Sequence, residues 1–112
     1  MTVDRVALLL SLQRALLGEV VPQLRQASIE TNADRHLVRV RFEFDVQPDE
    51  ALRARYSVVG TEVIADFPAP WTIDEEYVLA ESARLSPLAY VAYRRADSEP
   101  SIRPRADIPP VA

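Results

Sequence analysis

Asp74-Glu75-Glu76 is the densest run of groups that could hold a cation. In an extended segment Asp74 and Glu76 point to one side, a spacing at which two carboxylates can share a hard divalent ion. A full coordination sphere needs more oxygens than these, and no EF-hand spacing surrounds them. Imidazole chemistry rests on His36 alone, which begins no metal-binding repeat and has no neighbour suited to orient it as a general base. None of the serines at 11, 28, 57, 82, 86, 98 and 101 sits in a G-x-S-x-G turn. Gly18 and Gly60 are the only glycines, too few for a phosphate-cradling loop. Cysteine is absent, which removes thiolate nucleophiles, disulfides, iron–sulfur ligation and thiolate zinc sites. Lysine is absent too, which removes Schiff-base and Walker-type chemistry. No catalytic, cofactor-binding or metal-binding residue is assigned, and no cofactor is expected. The first reading is a non-catalytic protein-binding domain. The second is a small enzyme or metal-binding domain using a helix–sheet cleft.

Charge is the stronger signal. The chain of 112 residues carries a net −4, with 13 basic groups against 17 acidic ones. Residues 43–81 hold ten acids against Arg53 and Arg55, a local −8. An acidic surface steers a basic partner. The candidate partner-binding residues are therefore Glu62, Asp66, Asp74 and Glu76, taken from a helix end and the strand after it. The expected partner is another protein with a basic surface. Nucleic acid is disfavoured by a sequence pI of about 5.0. Arg39 and Arg41, on one face of a strand, are expected to pair with acids such as Asp74 or Glu76 on a neighbouring strand. No apolar run approaches the roughly 20 residues that span a bilayer. Val6–Leu10 is apolar, but Gln13 and Arg14 break it before any export-type cleavage site. The expectation is a cytoplasmic protein, monomeric or weakly dimeric.

Whatever these residues do, secondary structure must place them. Val3–Leu17 reads as a helix with Thr2 as cap and Gly18 just past its end. Its apolar stripe is Val6, Leu9, Leu10, Leu16 and Leu17, widened by Leu8 and Leu12. From Gln26 the period changes to two. Ala27, Ile29 and Thr31 form one face; after the turn Asn32–Arg35, so do Val38, Val40, Phe42 and Phe44. Closing that hairpin sets Ile29 opposite Val38 and Ala27 opposite Val40. Gln47-Pro48-Asp49-Glu50 starts a second helix, with Leu52, Tyr56, Val59, Val63 and Phe67 as its stripe. Gly60 marks either a close helix–sheet approach or a break. Trp71, Ile73, Tyr77 and Leu79 define a third strand with Glu75 out of pattern. Leu88–Arg94 is a fourth, apolar on both sides and so either central or in contact with a partner.

The resulting expectation is one α+β domain over residues 1–95, in which helix–hairpin–helix–hairpin (αββαββ) builds a four-stranded sheet with both helices on one face. Residues 96–112, with Pro100, Pro104, Pro109 and Pro110, read as a disordered tail. Two segments, LLLSLQRALLGEV over 8–20 and TEVIADFP over 61–68, resemble segments of small, largely uncharacterised bacterial proteins. Some proteins of that appearance accompany polymorphic toxins as immunity proteins. The resemblance covers about a third of the chain and involves no catalytic motif. It implies a bacterial cytosolic α+β domain that inhibits a toxin by binding it, and it transfers no site residues.

Overall fold

The structure, a computed structural model, describes residues 4–80 and 87–96. The expectation for the tail falls almost wholly outside them. The elements run α1 (Arg5–Leu16), β1 (Leu24–Asn32), a 3-10 turn (Ala33–Arg35), β2 (Leu37–Phe44), α2 (Glu50–Ile64), β3 (Thr72–Leu79) and β4 (Tyr90–Arg94). Two helices and one four-stranded mixed sheet make an α+β domain.

Strand order is β3-β2-β1-β4. β1 and β2 form the expected hairpin, but two residues out of the expected register: Ile29 faces Val40 and Ala27 faces Phe42. The cause is the turn. Asn32 still belongs to β1 and pairs with Leu37, while its side-chain oxygen accepts from the Arg35 backbone N–H at 3.2 Å. His36 then reverses the chain in the left-handed region, at φ 50°. A two-residue slip preserves side-chain direction, so the apolar face survives the change.

The second hairpin does not form. β3 lies parallel to β2, and β4 lies antiparallel to β1 at the opposite edge. α2 serves as the crossover between parallel strands that such a pairing requires. The widths of the elements explain the rest. Strands sit about 4.8 Å apart and a helix with its side chains is about 10 Å wide, so each helix covers two strands. α2 packs on β2 and β3, and α1 on β1 and β4. Without β4 beside β1, α1 would overhang the sheet. β4 is thus an edge strand, not a central one, and Tyr90 and Tyr93 pack half-buried against the core.

The core lies between the helices and one sheet face. Leu8, Leu12, Ala15 and Leu16 from α1 and Tyr56, Val59 and Val63 from α2 meet Ala27, Ile29, Val38, Val40, Phe42 and Phe44. The α2 stripe is the expected one. The α1 stripe is so only in part: Leu8, Leu12 and Leu16 point inward as expected, joined by Ser11 and Ala15, while Val6, Leu10 and Leu17 face solvent. Large apolar residues stand on both sides of the helix, and the outer one is marked by Gln13 and Arg14. Asp4, not Thr2, caps α1, its carboxylate accepting from the Ala7 N–H at 2.8 Å; Gly18, at φ 79°, ends it. Asp49 caps α2 in the same way through the Leu52 N–H, at 2.9 Å.

α2 runs unbroken through Gly60. Glu75 on β3 points at the helix, and a Cβ on Gly60 would overlap its carboxylate. Glu75 accepts a hydrogen bond from the Tyr77 hydroxyl, and the Arg53 guanidinium lies 5.4 Å from the Tyr77 ring centre. The acid that broke the β3 pattern and the glycine that interrupted α2 are one feature, a close approach of helix and sheet.

Candidate functional site

Four strands present their second face away from the helices, and that face is polar. Its residues are Gln26, Ser28 and Glu30 on β1, Arg39, Arg41 and Glu43 on β2, and Asp74 and Glu76 on β3. Arg94 on β4 donates to Gln26 at 2.7 Å, and Gln26 donates to Glu43 at 2.8 Å. One step along the strands, Arg39 donates to Glu30 at 3.1 Å and to Glu76 at 2.7 Å, and Arg41 donates to the second Glu76 oxygen at 2.7 Å. Ser28 is wholly buried, and Gln26, Arg41 and Glu43 nearly so. The expected pairing of Arg39 and Arg41 with β3 acids is present, because parallel β2–β3 register sets Arg39 against Asp74 and Arg41 against Glu76.

These contacts fix the charge state of the face. Burial works to raise the Glu76 pKa, but the hydrogen bonds from Arg41 and Arg39, with their charges, outweigh it and hold the carboxyl below its usual range. The depressed value has a consequence for stability. Glu76 stabilises the fold fully above its unfolded pKa, near 4.5, and that contribution disappears as pH falls through the lower folded value. Unfolding of wild type and Glu76→Gln should therefore differ most near neutrality and converge in acid. A constant difference across pH 2–7 would show that the pair does not carry the effect.

The four acids singled out by sequence do not form one patch. Asp74 and Glu76 lie on the polar sheet face, where both meet Arg39; Asp74 is the looser partner, at 3.8 Å. Asp74 also lines a surface hollow of 610 Å³ with Glu30, Asn32, Arg35 and Arg39. Glu62 and Asp66 lie across the sheet, in the helical layer. Asp66, just past the α2 end, accepts from the Ser11 hydroxyl at 2.7 Å and lies 3.5 Å from Arg14, which ties α2 to α1. Glu62 is exposed in the last turn of α2, a turn with no basic residue, and makes no ion pair among the described residues. The chain turn between α2 and β3, which suggested proximity in sequence, carries the backbone from one layer to the other.

Sequence reading missed the outer face of α1. Val6 is 62%, Leu10 45% and Leu17 77% exposed. The spacing i, i+4, i+11 that puts them on one side was visible, but it was read as the inner stripe. His36 packs beside the start of β3, and Asp74 and Glu76 both meet Arg39. The His36 ring meets Trp71 edge-on at 5.4 Å and its carbonyl accepts from the Thr72 N–H at 2.9 Å. Among the described residues, no three histidine, aspartate or glutamate side chains converge as metal ligands. No described helix is long and apolar enough to cross a membrane.

The family model of the MafI2 immunity protein matches residues 5–97, and the chain belongs to that family. No curated protein matches it.

Proposed function

We propose that this chain is a non-catalytic inhibitor that neutralises a partner toxin in the cytoplasm by binding it, with acidic groups of its surface meeting basic groups of the toxin. Membership of the MafI2 immunity protein family is the observation that carries this reading.

Of the four acids, Glu62 is the best docking group, since Asp66 is engaged by Ser11 and Arg14. Glu62 makes no ion pair among the described residues, and it stands at the negative end of the α2 dipole, where an acid is disfavoured by about 0.3–1 kcal/mol unless a cation meets it. Glu76 is engaged by two arginines and contributes to the sheet. Asp74 offers its exposed side to a partner and its other side to Arg39.

The test is co-expression in a reporter bacterium with each growth-arresting reading frame found among this gene's neighbours. Growth should be restored, with the two proteins recovered as a stoichiometric complex from which denaturation releases unmodified toxin. Arrested growth, or protection by far less than one equivalent, would overturn the reading. Glu62→Gln with Asp66→Asn should slow association at low salt and flatten its salt dependence.

A further inference from the structure

We infer that the partner docks on the outer face of the helical layer, through Val6 and Leu10 of α1 and Leu17 just past its end. This rests on the immunity reading and adds to it the surface and the chemistry of its counterpart. A helix at 100° per residue places Val6, Leu10, Gln13 and Leu17 within one sector opposite the buried Leu8, Leu12 and Ala15, so three of its four side chains are apolar. A helix apolar on both sides has the pattern of a buried helix, yet α1 covers the sheet with only one side. Single exposed apolar residues are ordinary, and a contiguous stripe is not.

The distribution of such residues is uneven. The large apolar side chains exposed among the described residues are Val6, Leu10, Leu17, Val20, Val46 and Val58. All but Val46 belong to the two helices or to the turn that follows α1. The opposite face of the sheet is filled by hydrogen-bonded charges. The exposed large apolar side chains therefore gather in the helical layer, among its charged groups, and the sheet's outer face is dominated by hydrogen-bonded charges.

The rim of the apolar stripe tells what its occupant looks like. Arg14 pairs with Asp66, and Arg55 with Glu19 at 2.8 Å, so these pairs bridge the layer without leaving net charge. Glu62 lies between Arg55 and Asp66 along the α2 surface and adds an unmatched negative charge to the α2 carbonyl end. The complementary surface is apolar at its centre and basic at one side, which fits a toxin that the chain's acidic charge would attract. A second copy of the chain would bring Glu62 and a net charge of −4 against their like.

Calorimetric titration of the toxin identified by that co-expression tests this, using wild type, Leu10→Gln/Leu17→Gln, the single Leu17→Gln and, as control, Val46→Gln. Each replacement is on an exposed position, and melting temperatures should stay within a few degrees of wild type. The double variant should bind at least about 30-fold more weakly and the single variant about fivefold, with Val46→Gln unchanged. Wild-type affinity in the double variant would overturn the proposal. So would a wild-type dimer in sedimentation that the double variant abolishes while toxin binding persists, because a second copy would then be the occupant. Failure of wild type to bind the toxin would instead overturn the immunity reading, and this inference with it.

Discussion

Replacement of Phe42 by alanine is expected to cost about 3–5 kcal/mol in denaturant unfolding, the largest single-site effect in this chain. Phe42 is fully buried on β2. Its ring centre lies 5.0 Å from that of Tyr56 on α2 and 5.7 Å from that of Tyr77 on β3, nearly parallel to the latter. The side chain therefore joins three elements that are far apart in sequence. Truncation removes buried apolar surface and leaves a cavity lined by rings that cannot easily close on it, because Tyr56 and Tyr77 are both held by their hydroxyls. A cost below about 1 kcal/mol would mean that β2 does not present this face to the helices. Phe42→Leu, which keeps most of the volume, should cost clearly less.

Tyr56→Phe should destabilise by about 1–3 kcal/mol, although it removes one oxygen atom. The Tyr56 hydroxyl donates to the Glu19 carbonyl at 2.6 Å and accepts from the Val21 N–H at 3.2 Å. Both partners belong to the turn between α1 and β1, so one buried phenol fastens that turn to α2. Loss of the oxygen leaves two backbone groups with reduced access to water. The same burial pushes the Tyr56 phenol above its ordinary pKa of 10.0. An acid whose pKa is raised by folding keeps the fold stable below the unfolded value, and the stability declines as pH rises above it. The cost of Tyr56→Phe should therefore shrink above pH 10. A variant as stable as wild type at neutral pH would show that water replaces both hydrogen bonds. The isosteric ring keeps the contacts with Phe42 and Phe44, so this measurement isolates the hydroxyl from the packing.

Local sequence was enough for the elements and most of their faces. Period two in Val38, Val40, Phe42 and Phe44 is a property of extended backbone, and it survives a change of register because a slip by two returns every side chain to its side. The α2 stripe at Leu52, Tyr56, Val59 and Val63 was equally legible, as was its stop before Pro68, since one polar side left the helix a single way to turn. Pairing of Arg39 and Arg41 with acids of another strand followed from charge alternation on β2. The choice of chemistry was also a sequence matter: a chain without cysteine or lysine and with one histidine excludes by residue type alone.

The tertiary structure decided what local pattern left degenerate. α1 carries leucine or valine on both sides, and contact with β1, β4 and α2 puts Leu8 and Leu12 inside, leaving Leu10 and Leu17 outside with Gln13 and Arg14. The partner of β3 was undetermined, because a strand pattern specifies which face is buried and not which edge is paired; the α2 crossover and the width of two helices settled it. That same choice separated Glu62 and Asp66 from Asp74 and Glu76. Nearness along the chain brought these acids together on paper, and passage from the helical layer into the sheet placed them on opposite sides of the molecule.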